Sequence, residues 1–237
     1  MRVTHIFAAL LMAISAAASS QAGDRRSDGR NVTGWEAVGR LTMANRAMCT
    51  GALIAPDLVL TAAHCLYDPH NGRLVKPRDI TFEAGLSGNS AKATRTVRAA
   101  AEHPGYNHRR GGANQAGVDI AVLRLSKPID SSQIRPFATE VRPSRGDELG
   151  VISYNHVQND TPAWQHPCLV LGRKGDMVVM NCEVDFGASG APVFVVEGGS
   201  APRLVSVISS KAEMGNKPVA VGTIVEQALQ VLLKRAG

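Results

Sequence analysis

The chain has 237 residues, with 26 lysines and arginines against 20 aspartates and glutamates, a formal charge of +6. The positive charges are scattered and aromatic residues make up only 4%, so composition gives no sign of a basic, aromatic-lined surface for nucleic acid. After the first two dozen residues, no stretch is apolar enough to cross a membrane.

The N-terminus has three parts. Arg2 precedes an apolar run from Ile6 to about Ala18, and Ser20-Gln21-Ala22 follows with small residues at the spacing of a cleavage site. This is the pattern of a secretory signal peptide, 1–22, cut after Ala22. The run falls short of the roughly 20 apolar residues that span a bilayer. The expected mature protein is therefore secreted or periplasmic, with no membrane contact after signal removal. Residues 23–30, GDRRSDGR, are polar and charged and read as a pro-segment or linker.

From Asn31 onward short apolar runs alternate with turn residues. Among them are GALIA, LVLTAA, ITFEAG, TRTVRAAA, DIAVLRL, ELGVISY, CLVLG, MVVMNC, APVFVV, RLVSVIS and PVAVGTIV. This rhythm predicts an all-β sandwich or barrel. Ser126 to Asp147 is rich in proline, serine and charge and reads as the link between two halves. A helix is predicted over 223–235. Thr223 and Glu226 have the spacing of a capping box. Val225, Ala228, Leu229 and Leu232 form one apolar stripe. Lys234 and Arg235 fall in the last turn, where cations suit the helix dipole.

Four cysteines in an exported chain suggest two disulfides. Cys49 and Cys65 are symmetric about the turn at Ala55-Pro56-Asp57, and Cys168 and Cys182 about Lys174-Gly175-Asp176. Two cysteines facing each other across a hairpin lie within bonding reach. Of three connectivities, the spacing favours 49–65 with 168–182. No pair has the short C-x2–4-C spacing of a zinc site, so neither a metal nor any other cofactor is expected.

The segment DFGASGAPVF, residues 185–194, places Ser189 among small, flexible residues. A serine hydroxyl is a weak nucleophile until a base takes its proton. Of seven histidines, His5 lies in the signal. His70, His103, His108, His156 and His166 lie in polar or turn-rich stretches. His64 differs, because it closes the apolar run LVLTAAHC beside a cysteine expected to be bridged. Asp119 heads the apolar run DIAVLRL, where an acid is costly without a partner. Taken singly, His64 could equally be a core histidine and Asp119 a turn residue. Together with Ser189 they form a base, an orienting acid and a nucleophile in the order His, Asp, Ser, one of three orders in which this triad occurs.

Five stretches then carry a resemblance. LTAAHC (60–65), HPGYN (103–107), DIAVLRL (119–125), GASGAP (187–192) and RLVSVISS (203–210) resemble motifs of the trypsin-like serine proteases of the chymotrypsin fold, over about 31–235. The resemblance implies two six-stranded antiparallel Greek-key barrels, about 31–130 and 143–222, followed by the C-terminal helix. The active site would lie between them. It implies a serine endopeptidase acting on protein or peptide substrates, as a monomer. His64, Asp119 and Ser189 would be catalytic. Gly187 and Ser189 would offer backbone N–H groups to the oxyanion, and the Cys49–Cys65 bridge would brace His64. Ser209 would lie on the strand lining the substrate.

Two departures matter. Position 188 is alanine where trypsin and chymotrypsin carry the aspartate that pairs with a new N-terminus after activation. Arg30-Asn31-Val32-Thr33-Gly34 resembles an activation site, yet Ala188 cannot accept that ion pair. Bacterial glutamyl endopeptidases of the same fold also lack the acid, so removal of 23–30 is not expected to work the usual switch. In the specificity region, Glu183 lies six residues before Ser189, near the position of trypsin's acid. An acid there favours cleavage after basic side chains, which is the expectation, although Asp185 shares the loop and Lys211 near the other wall would favour acidic ones. An inactive binding protein on the same fold is the alternative. An esterase of α/β-hydrolase type would need Ser before Asp before His.

Overall fold

A computed structural model describes residues 26–43, 47–110, 113–139, 142–157, 159–196 and 201–236. The expected signal peptide lies outside the described residues. The thirteen strands are β1 (Arg26–Asp28), β2 (Val38–Met43), β3 (Ala47–Ala55), β4 (Leu58–Thr61), β5 (Ile80–Ala84), β6 (Ala93–Glu102), β7 (Ala121–Leu125), β8 (Glu148–Ser153), β9 (Ala163–Lys174), β10 (Met177–Met180), β11 (Pro192–Val195), β12 (Arg203–Met214) and β13 (Lys217–Ile224). One helix, α1 (Val225–Ala236), follows.

All pairings between strands are antiparallel, and they make two barrels. The first closes in the order β2-β3-β4-β7-β6-β5. The second runs β8-β9-β10-β13-β12-β11, and β11 returns to pair with β8. Two six-stranded barrels and a C-terminal helix are the architecture expected. Strand alternation fills each core: in β5, Ile80, Phe82 and Ala84 are buried while Thr81 and Glu83 are only partly so. No helix among the described residues is long and apolar enough to cross a membrane.

The link between barrels is anchored to both. Phe137 donates its N–H to Leu53 O in β3, and its ring packs 4.6 Å from that of Phe194 in β11. Residues 26–30 also belong to the fold. β1 adds to the edge of β9, pairing Arg26 with Gln165, and Gly29 N–H bonds Pro162 O at 2.9 Å. The Arg30–Asn31 bond falls in the 3-10 turn Gly29–Asn31, of which Gly29 is buried while Arg30 and Asn31 are exposed.

Three local expectations are corrected. The helix starts at Val225, not at 223, because Thr223 belongs to β13. Its hydroxyl donates to the carbonyls of Ala116 and Asp119, and Glu226 accepts from Arg142, so the capping box is not made. The apolar strand before His64 ends at Thr61, and His64 and Cys65 sit on a 3-10 turn, Ala63–Leu66. The Cys49–Cys65 bridge thus joins β3 to that turn, not to a facing strand. Asp119 stands two residues ahead of β7, in the connection that enters it. Both predicted disulfides, Cys49–Cys65 and Cys168–Cys182, are present.

Candidate active site

His64 is placed by the bridged turn and held by a buried acid. Asp119 is 4% exposed. Its Oδ1 accepts from the backbone N–H of His64 at 2.8 Å, and its Oδ2 lies 2.7 Å from His64 Nδ1. Ser209 Oγ donates to the same Oδ2 at 2.6 Å. A carboxylate buried among three donors is stabilised in its charged form. It also sets the tautomer of the imidazole: Nδ1 carries the proton that faces Asp119, which leaves Nε2 to accept one. The ring is about one-third exposed, so Nε2 can meet a substrate.

An aromatic wall adjoins His64. The Tyr67 ring stacks on His108 at 4.1 Å, and its hydroxyl donates to Glu102. Burial first, then that carboxylate, push the Tyr67 hydroxyl up to about 12.

The Ser189 loop belongs to the second barrel but is stitched to the first. Thr50 on β3 donates its backbone N–H to Ser189 O at 2.8 Å and its hydroxyl to Gly187 O at 3.0 Å. Thr61, at the end of β4, donates its hydroxyl to Thr50 O. Gly190 has φ +75°, and a Cβ there would run into Thr61 Oγ1 and Thr50 O. Gly187 has φ +99°, and a Cβ there would run into Met48 Cε and the Asn155 backbone. Only glycine accepts both conformations so close to other backbone. Among the described residues, neither the Gly187 nor the Ser189 N–H takes part in a backbone bond. Ala188 is buried in the apolar core of the second barrel.

Ser189 lines a cleft of about 280 Å³ with Val184, Asp185, Phe186, Ile208, Ser209, Ser210 and Lys211. The shared Ser209 ties this cleft to the Asp119–His64 pair. Of the candidate substrate-binding residues, Asp185, Ser209 and Lys211 border it. Glu183 is absent from it and lines a neighbouring hollow of about 440 Å³, which Asp185 and Lys211 also line. Arg26 of β1 lines that hollow, with Nη1 2.9 Å from Asp185 Oδ2 and Nη2 3.9 Å from Glu183 Oε2. The Lys211 ammonium sits 4.0 Å above the centre of the Phe186 ring. The sequence offered no sign of Arg26 at this place: it is 159 residues from Asp185. Ligand atoms of Cys49, His64 and Cys65 also cluster within 4.8 Å, but both sulfurs belong to the disulfide and are not thiolate ligands.

The two-barrel fold that carries a histidine on a bridged turn, its buried aspartate partner and a serine near two positive-φ glycines matches a known family over nearly its whole length. The model of the Trypsin family matches residues 26–231. This chain belongs to the trypsin family. Serine protease 23 of Mus musculus is 27% identical over 171 residues, covering 62% of this chain and 43% of that protein. A trypsin-like protease of Streptomyces glaucescens is 33% identical over 98 residues, covering 41% of this chain and 32% of that protein. The chain thus spans less than half the length of these curated relatives. In shape it is similar to a solved Glu endopeptidase, with a TM-score of 0.75, 17% identity and coverage of 91% of this chain and 97% of that one. It is also similar to the protease Anisep of Arthrobacter nicotinovorans, with a TM-score of 0.68, 16% identity and coverage of 89% and 98%. At these identities the structural likeness is one of fold.

Proposed function

We propose that this trypsin-family chain is a serine endopeptidase working by acyl transfer, with His64, Asp119 and Ser189 as its triad. The observation that carries the reading is the doubly hydrogen-bonded pair of partly exposed His64 and buried Asp119, tied through Ser209 to the cleft that Ser189 lines. His64 Nε2 takes the Ser189 proton as Oγ attacks the peptide carbonyl carbon. The N–H groups of Gly187 and Ser189 receive the oxygen that becomes negative. His64 then returns its proton to the leaving amine, and the C–N bond breaks. Water repeats the sequence on the acyl-enzyme, which frees the carboxylic acid and restores Ser189. Asp119 keeps His64 in the correct tautomer and stabilises the imidazolium.

Secretion or export to the periplasm follows from the N-terminal sequence, and two disulfides suit an oxidising compartment. Activation through an ion pair at position 188 is not available to a buried alanine. The 26–30 segment, packed on β9, is instead part of the working fold. A fluorophosphonate reagent tests the reading. The folded protein is expected to take up label on Ser189, and Ser189→Ala to take up none. A folded protein that stays unlabelled would indicate an inactive binding protein on the same fold.

A further inference from the structure

We infer that the cleft beside Ser189 selects an acidic side chain at the residue before the scissile bond. In this reading Lys211 is the group that receives it, and Arg26 is a positioning residue that keeps the cleft cationic. The inference rests on the endopeptidase reading above and concerns which peptides it takes.

Two charged residues border the cleft, Asp185 and Lys211. They are not in equivalent states. Asp185 already has a cation at 2.9 Å, the Arg26 guanidinium, which also leans toward Glu183. Lys211 has no carboxylate within ion-pair distance among the described residues, and its ammonium rests on the face of Phe186. A basic side chain entering here would meet Lys211 and would have to draw Asp185 away from Arg26. An acidic one would find an ammonium with its hydrogen-bond donors still available. The Arg26–Asp185 pair is half exposed, and alone it contributes little. A bound peptide excludes water from the cleft, and the charge left uncompensated there then decides which side chain enters. Phe186, itself exposed, holds the lysine stem at the cleft mouth. Arg26 is thus a selectivity element outside both barrels, delivered by the pairing of β1 with β9.

The test is a peptide series that differs only at the residue before the scissile bond: Glu, Asp, Lys, Arg or Leu. Rates are expressed per site labelled by the fluorophosphonate. The wild-type protein is expected to favour Glu or Asp over Lys and Arg. Lys211→Gln is expected to lower the preference for Glu over Leu by roughly ten- to hundredfold, the size of one charge-assisted hydrogen bond. Arg26→Gln is expected to raise Lys and Arg cleavage relative to Glu, and Arg26→Lys to restore the wild-type order. The Arg26→Gln, Asp185→Asn double variant is expected to lose that gain. Wild-type preference for Lys or Arg, or a Glu-to-Leu ratio unmoved by Lys211→Gln, overturns the inference while the endopeptidase reading stands. A wild-type protein that takes no label overturns the endopeptidase reading itself.

Discussion

At the scale of single residues, the geometry around Asp119 carries the most consequence. Its carboxylate has three donors, the His64 backbone N–H, the His64 ring and the Ser209 hydroxyl. Asp119→Asn keeps the shape but offers Nδ1 a donor in place of an acceptor, which reverses the tautomer. Steady-state cleavage is expected to drop by about 10⁴ in kcat, the loss that this substitution causes in the family's triad template. Ser209→Ala leaves the charge and removes one donor. Its kcat/KM is expected to fall by roughly tenfold, with labelling of Ser189 slowed in parallel. His64 and Asp119 were legible because each is chemically odd where it stands, a histidine beside a bridged cysteine and an acid heading an apolar run. Ser209 was expected only on the substrate-lining strand. Its bond to Asp119 spans 90 residues of sequence and no local pattern encodes it.

At the scale of elements, the joint between barrels is where the Ser189 loop is held. Gly190→Ala would place a methyl group against Thr61 and Thr50 at a φ that L-residues rarely adopt. The expected outcome is destabilisation of more than about 2 kcal/mol and loss of Ser189 labelling, read by thermal melting and the fluorophosphonate assay. The Cys168–Cys182 bridge closes a short loop across the β9–β10 turn. Replacing both cysteines by alanine is expected to cost about 3 kcal/mol, a drop in Tm of roughly 6–12 °C for a domain of this size. Strand positions were readable from apolar runs and turn residues, and this cysteine pair from its symmetry about Gly175. The start of α1 was not readable. Thr223 has the sequence of a helix cap, but buried carbonyls of Ala116 and Asp119 claim its hydroxyl and keep it in β13. Tertiary hydrogen bonds overrode a local signal.

At the scale of the whole molecule, one partly buried histidine links stability to pH. Burial holds His103 below its ordinary value of 6.5, with a weaker opposing influence from Asp176. Its Nδ1 accepts the Gly105 N–H at 3.1 Å, a bond that protonation would break. The unfolded chain therefore takes up this proton first as pH falls. Stability is expected to be full above about 6.5 and to decline below it. Urea unfolding followed from pH 8 to pH 5 is expected to show a smaller decline in His103→Gln than in the wild-type protein. An equal decline would exclude His103 as the source. On its own, the sequence determined an all-β architecture, both disulfides and the three triad candidates in order. These rest on short-range signals: alternation along a strand, turn residues, and chemically costly side chains in apolar settings. The division into two barrels came from the resemblance to trypsin-like proteases. Tertiary structure alone decided which groups share the cleft. It left Glu183 out of the Ser189 cleft that Asp185 and Lys211 border, though all three share the neighbouring hollow, and brought Arg26 onto Asp185 from the far end of the chain. The physical reason is that a cleft's charge is a sum over side chains delivered by separate strands. That sum depends on the register between β1 and β9 and on the packing of one barrel against the other.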